Sequence, residues 1–180
     1  MKGPDDLKTQ RKIYDLIVKN PGLHASSIAK ILKISWELTN YHLNYLQKND
    51  LINIVKEEGY NRCFVTGEMG EKDRKNISLL RQKYPLTIVM YLLTNPYSRF
   101  KDIANHVDIA PSTLSHHMDK LKKKNVIDFE EIKNIKRYFV KDRKYIIQIL
   151  IKYKPQTFIE DYEDMWSEFL WTKDLFKNKE

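Results

Sequence analysis

Apolar residues recur along the chain with two spacings, one typical of helices and one of short strands. Over residues 6–19 and 85–94 they fall three and four positions apart, which predicts a first helix in each half. Both segments run into Asn-Pro, and a residue before proline disfavours the α region. A short second helix follows in each half. Third helices are predicted to begin at Ser35, a good N-cap, and at Pro111, a good first-turn residue.

Each third helix is followed by two short runs rich in β-branched and aromatic residues. The predicted strands cover residues 51–55, 62–65, 126–129 and 137–140, with turns at 58–61 and 133–136. The order helix, helix, turn, helix, hairpin is that of the winged helix-turn-helix. We therefore expect a mainly α chain with small β-hairpin wings, built as two tandem winged helix-turn-helix domains plus C-terminal helices.

The two halves are also similar in sequence. An offset of 75 aligns residues 11–67 with 86–142 without a gap, and 13 of the 57 pairs are identical. Most identical positions are apolar, as expected for a shared core. The predicted domains are a first winged helix at 1–67, a linker helix at 68–83, a second winged helix at 84–142 and C-terminal helices at 143–180. The linker helix is expected to stop at Tyr84-Pro85.

The last predicted helix, near residues 158–176, carries a strongly aromatic stripe at helical spacing. The stripe consists of Phe158, Tyr162, Met165, Trp166, Phe169 and Leu170. Such a surface has to be covered, either by the chain itself or by a second copy. We expect a homodimer, because palindromic DNA half-sites match a two-fold protein.

Composition and charge narrow the choice of partner. The formal net charge is +8, of which residues 84–154 contribute +7 and residues 155–180 contribute −4. A basic second half favours a nucleic acid or another anionic surface. The single cysteine excludes an intramolecular disulfide and a multi-cysteine zinc cage. The chain lacks an apolar leader or span, a phosphate-cradling glycine loop and hydrolase motifs, so we expect a cytoplasmic protein without cofactor, metal or catalytic activity.

Residues 109–121, IAPSTLSHHMDKL, resemble the recognition helix of ArsR-type winged-helix transcription regulators. Residues 34–46 are similar but less close, and the doubled arrangement resembles tandem regulators common in archaea. The resemblance implies a sequence-specific DNA-binding regulator. Two departures concern the first half. Trp36-Glu37 replaces small polar residues, and Glu57-Glu58 places acid on the first wing.

The candidate DNA contacts lie on the third helices and the wings, because a recognition helix presents its first turns to base edges. In the second half they are Pro111, Ser112, Thr113, Ser115, His116, Lys120, Lys136 and Arg137. In the first half they are Ser35, Trp36, Asn40, Tyr41, Asn44 and Arg62. Lys120, near the C-terminus of its helix, could instead offset the helix dipole. Lys136 and Arg137 could instead lie at a hairpin tip that is merely solvated. The aromatic residues of the first half could instead cover an inter-domain or dimer contact.

The aligned histidines, His42 and His117, are expected to be buried and hydrogen-bonded to the hairpin rather than to bind a ligand. Cys63 is expected to be a packed thiol. Two other functions stay open on sequence grounds. The chain could be a protein-interaction module, since winged helices also serve in scaffolds. It could also be a small-molecule sensor with a pocket among Trp36, Tyr41, Tyr45 and the C-terminal aromatics.

Overall fold

The computed structural model describes residues 4–57 and 59–153, which divide into two compact units between Ser78 and Leu79. The first unit contains α1 (Pro4–Lys19), β1 (Leu23–His24), α2 (Ala25–Leu32), α3 (Trp36–Lys48), β2 (Ile52–Glu57) and β3 (Tyr60–Val65). The division falls within α4 (Glu71–Leu80). The second unit continues with α5 (Lys83–Thr94), β4 (Ser98–Arg99), α6 (Phe100–Val107), α7 (Pro111–Lys123), β5 (Ile127–Ile132), β6 (Ile135–Val140) and α8 (Arg143–Lys152).

The first unit closes around one face of each helix and one face of its hairpin. Ile13 and Ile17 of α1 are completely buried against Ile28 of α2, Leu43 of α3 and Ile52 of β2. These positions follow the helical and strand periods of the sequence, so each element contributes one apolar face to the same core. The sheet has the order β1-β3-β2 and is antiparallel, with Ile52 opposite Val65.

The second unit repeats this plan and is closed by an additional helix. Its core contains Ile88, Ile103, Leu114 and Ile127, the counterparts of core or strand positions in the first unit, and its sheet has the order β4-β6-β5. Ile146 and its neighbours on α8 pack into the same core. The fold class predicted from the sequence is therefore confirmed: two small winged helix-turn-helix units in one mainly helical chain.

Two local predictions were wrong, and two short strands were missed. Both hairpins are longer and their turns tighter than expected, with ladders extending from Ile52↔Val65 to Glu57↔Tyr60 and from Ile127↔Val140 to Ile132↔Ile135. The two-residue strands β1 and β4 were not anticipated, because two residues carry no periodicity. The linker helix ends at Leu80 rather than at Tyr84-Pro85. Pro85 lies in the first turn of α5, where its missing N–H costs no helical hydrogen bond.

Only part of the C-terminal region predicted to be helical lies within the described residues. The helix expected over residues 143–153 is present as α8. The aromatic stripe of Phe158, Tyr162, Met165, Trp166, Phe169 and Leu170 lies outside the described residues. Among the helices that the structure describes, none is long and apolar enough to cross a membrane.

Candidate nucleic-acid interface

The third helix of the second unit, α7, is anchored on one side and open on the other. It starts at Pro111, as predicted, with Ala110 as its N-cap. Leu114, Met118 and Leu121 are buried and fix the helix on the core. Since these three residues recur at helical spacing, the opposite side of α7 is free to carry polar groups to the surface.

The predicted contacts of the second half lie on or beside this open side. Four of them, Pro111, Ser112, Ser115 and His116, are exposed. Thr113 and Lys120 are half-buried at the edges of the core-facing stripe. The N-terminal turns of α7 thus present two hydroxyls and an imidazole, groups that donate to or accept from base edges and phosphates.

The wing brings a second cation close to a lysine of α7. The ammonium nitrogens of Lys122 on α7 and Lys136 on β6 lie 4.5 Å and 4.7 Å from the centroid of the Phe129 ring. An ammonium over an aromatic face is attracted by the ring quadrupole. Phe129, which the sequence analysis did not single out, therefore holds a helix lysine and a wing lysine at one place. We call these three residues the lysine clamp.

Asp119 is a second residue that the sequence analysis missed. It is exposed on α7, one turn beyond Ser115, and its charge acts on Tyr138 of the wing. Burial, and secondarily the carboxylate of Asp119, raise the pKa of Tyr138 above its ordinary value. Asp119 adds an acceptor to the open side of α7, and a carboxylate accepts from the cytosine amino group.

The two arginines at corresponding wing positions are structural rather than free. Arg62 is only 3% exposed, and its Nη1 donates to the carbonyl oxygen of Gly22 at 2.8 Å. Arg137 repeats the contact, with Nη1 donating to the carbonyl of Tyr97 at 3.3 Å. Gly22 and Tyr97 both have positive φ, so each arginine fastens the turn after its unit's first helix to the hairpin. Arg62 is thus excluded as a DNA contact by its burial, which corrects the prediction, whereas Arg137 is half-exposed.

The third helix of the first unit, α3, exposes a different chemistry. The hydroxyl of Ser35 caps the helix by accepting from the backbone N–H of Leu38 at 3.1 Å, as predicted. Trp36 is 58% exposed and Tyr41 is 51% exposed. Asn40 is half-buried and Asn44 is exposed.

A groove of about 460 Å³ lies between α3 and the wing of the first unit. Trp36, Asn40 and Asn44 line it, together with Gln47 of α3 and Tyr60 of the wing. Tyr41 and Tyr45 are not among its lining residues. The pocket suggested from the sequence also involves the C-terminal aromatics, which lie outside the described residues, so that suggestion stays a prediction.

The predicted histidine and cysteine environments are partly as expected. His42 is completely buried, with its ring edge-on to Tyr41 at a centroid distance of 5.2 Å. His117 is half-buried beside Tyr84, and burial holds its pKa below the ordinary value. Cys63 is buried, which raises the pKa of its thiol to about 12. Among the described residues, no group of His, Cys, Asp or Glu is arranged to hold a metal ion.

Two helix-turn-helix units, each with a wing and an open third helix, define the chain as a tandem winged helix-turn-helix protein. Residues 86–128 match the family model described as bacterial regulatory protein, arsR family. Residues 6–53 match the model described as winged helix-turn-helix DNA-binding. The second unit is therefore ArsR-like, which confirms the resemblance drawn from residues 109–121.

A curated relative extends the similarity across both units. An uncharacterized HTH-type transcriptional regulator of Methanocaldococcus jannaschii is 26% identical over 134 residues, which cover 74% of this chain and 34% of the relative. The chain thus spans about a third of the length of the relative it matches.

Two solved structures resemble the chain at low TM-scores. One is a zinc-responsive MarR family member, ZitR of Lactococcus lactis, with TM-score 0.35 and 14% identity, covering 79% of this chain and 85% of that one. The other is ScpB of Mycobacterium tuberculosis, with TM-score 0.28 and 11% identity, covering 77% and 93%. At these scores neither similarity supports a conclusion about this chain.

Proposed function

We propose that this protein is a transcription regulator that binds duplex DNA sequence-specifically, and that its second winged helix is the principal reader. The observation that carries the proposal is the composition of α7 and its wing. A face of hydroxyl, imidazole and carboxylate groups stands opposite the buried leucines, and the lysine clamp lies beside it.

The open side of α7 has the chemistry needed to distinguish bases. Ser112, Ser115 and His116 are exposed within the first two turns, the part of a recognition helix that meets base edges. The major groove displays a different pattern of donors and acceptors for each base pair. Side chains that both donate and accept, together with the carboxylate of Asp119, are suited to read such a pattern.

The lysines supply attraction to phosphates. Lys120, Lys122 and Lys123 follow the polar turns of α7, and Lys136 adds a cation from the wing. Contacts to phosphates position the protein and carry most of the non-specific affinity. Because Lys122 and Lys136 lie against the same Phe129 ring, the helix and the wing would contact the same segment of the DNA phosphate backbone. Arg137 contributes less, since its guanidinium also bonds to Tyr97.

The first unit has a secondary role in this proposal. Ser35, Trp36, Asn40, Tyr41 and Asn44 form a surface on α3 that is polar and aromatic but not basic. Such a surface would add contacts to DNA that the second unit has already bound.

We also propose that two copies associate through the stripe of residues 158–170 and bind a palindromic site, as a cytoplasmic homodimer. This proposal of a dimer is supported by the apolar pattern of the sequence alone.

Selection from a random duplex library tests the proposal. The full chain should enrich a consensus, and a scrambled version of that consensus should bind at least 10³-fold more weakly, the lower end of ordinary specificity ratios. Equal affinity for the consensus and its scrambled control, or no enrichment, would contradict sequence-specific binding. A protein-interaction module is the second candidate, favoured by the exposed Trp36 and Tyr41. Such a module would enrich no consensus from the library.

A further inference from the structure

The repeat shows how the groove of the first unit differs from the same place in the second. At the offset of 75, Ile54 corresponds to Phe129 and Cys63 corresponds to Tyr138. In the second unit these two aromatic rings contact each other at a centroid distance of 5.7 Å. In the first unit the smaller Ile54 and Cys63 line an open groove. The space between the third helix and the wing is thus filled by aromatic side chains in the second unit and left open in the first.

The charge of the two places also differs. Lys122, Lys136 and Asp119 in the second unit correspond to Gln47, Asn61 and Asn44 in the first, and all three of these amides line the groove. Among the described lining residues, none is Lys, Arg, Asp or Glu. Cys63, which also lines the groove, is neutral as well, because burial raises the pKa of its thiol to about 12.

The walls combine flat rings with hydrogen-bonding amides. The rings of His24 and Tyr60 stack at a centroid distance of 5.1 Å with an interplanar angle of 18°, and Trp36 lies across from the wing on α3. Asn40, like the three amides named above, offers both donors and an acceptor. A cavity of about 460 Å³ lies in the size range of small-molecule sites.

We propose that this groove binds a small, neutral, planar nitrogen heterocycle, of which adenine and its nucleoside are the model class. Aromatic walls stack on such a ring, and asparagine or glutamine pairs with the donor and acceptor that adenine presents side by side. A phosphate group is disfavoured, because no lining cation among the described residues offsets its charge. The ligand is a free small molecule rather than a base of duplex DNA.

Binding in this groove has a regulatory consequence that rests on the proposed function. Trp36, Asn40 and Asn44 are shared between the groove and the exposed side of α3. A bound heterocycle would therefore compete with any contact between α3 and DNA. Binding of the ligand itself does not depend on DNA, so the two ideas are tested separately.

The test titrates the full chain, without DNA, with adenosine and with AMP, using calorimetry and amide NMR. Adenosine should bind saturably, one per chain, and shift the signals of α3 and the first wing, whereas AMP should bind more weakly. Trp36→Ala should weaken adenosine binding about 5- to 150-fold, the range for loss of one stacked aromatic. Ile54→Phe, which installs the residue of the second unit, should block the groove.

Matched controls keep the result interpretable. Leu38→Ala and Asn53→Ala alter exposed residues that do not line the groove, and both should leave adenosine affinity unchanged. Unchanged thermal unfolding of each variant shows that the fold is intact. The proposal is overturned if adenosine, adenine and three other neutral nucleosides all fail to saturate by about 10 mM, or if Trp36→Ala binds them as wild type does. It is also overturned if Trp36→Ala reduces duplex affinity while leaving nucleoside binding unchanged, since the groove would then be a DNA surface.

Discussion

Replacing Arg62 with methionine should destabilise the first unit although the side chain lies on the wing. Methionine keeps the aliphatic length of arginine but removes the guanidinium, which is 3% exposed and donates to the carbonyl of Gly22 at 2.8 Å. A hydrogen bond from a charged donor contributes about 1.5–3 kcal/mol, and its loss leaves a buried carbonyl without that donor. The corresponding Arg137 bond is 3.3 Å long and half-exposed, so Arg137→Met should cost only about 0.5–1.5 kcal/mol.

Native-state hydrogen exchange with peptide resolution measures the two units separately in one sample. Since 1.4 kcal/mol is a factor of ten, amides of α1 and β3 should exchange about 10- to 150-fold faster in Arg62→Met. Amides of α5 and β6 should exchange about 2- to 10-fold faster in Arg137→Met. The second variant is the matched control for the first, because both remove the same group from the same position of the repeat.

Unchanged exchange in the first unit of Arg62→Met would contradict a stabilising role for this bond. The prediction has a second condition. It fails equally if the two variants have the same effect, since the Arg62 bond is the shorter and more deeply buried of the two, and the Arg62 guanidinium also lies 5.5 Å from the centroid of the Tyr60 ring.

Three further predictions concern the second unit and the C-terminus. Ser115→Ala should weaken binding to the selected consensus by about 1–3 kcal/mol and leave binding to scrambled duplex unchanged, whereas Lys136→Ala should weaken binding to both duplexes alike. Lys144→Ala, which alters an exposed lysine of α8, is the control. The reverse pattern would contradict the roles given to Ser115 and Lys136. His117→Leu should reduce the loss of thermal stability between pH 7.5 and 5.5. Burial, and then the charges of His116 and Lys120, hold the His117 pKa below its ordinary value of 6.5, so the unfolded chain takes up the proton first and stability falls as the pH drops below about 6.5. An equal loss of stability in the variant and the wild type would refute this. Deleting residues 156–180 should give a monomer by sedimentation that binds the palindrome much more weakly, and a full chain already monomeric at tens of micromolar would contradict the dimer.

The order of elements could be read from the sequence because each has a strong local signal. Apolar spacing located the helices, Asn-Pro marked the end of each first helix, and Ser35 and Pro111 marked the start of each third helix. The internal repeat added independent support, since two halves that share core positions have to share a fold. The strands β1 and β4 gave no such signal, because they are two residues long and exist only through pairing with β3 and β6.

The site was harder to predict than the fold, because a side chain's role depends on its distant neighbours. Arg62 and Arg137 are identical in the repeat, and a basic residue beside a wing is typical of a phosphate contact. Their actual partners, Gly22 and Tyr97, lie 40 residues earlier in the chain. The role of Phe129 was missed for the same reason, since nothing in the sequence places Lys122 and Lys136 over one ring. The repeat held a usable signal, in that aligned positions with different side chains mark where the two surfaces differ.

The salt dependence of duplex binding tests most directly whether the basic second unit engages DNA. If about six phosphates are neutralised, log K should fall against log[salt] with a slope near −5 between about 50 and 200 mM, and Lys136→Ala should reduce that slope by about 1. We expect this steep dependence with the full chain and its selected site. Absence of binding at 50 mM salt, or binding that does not respond to salt, would contradict it.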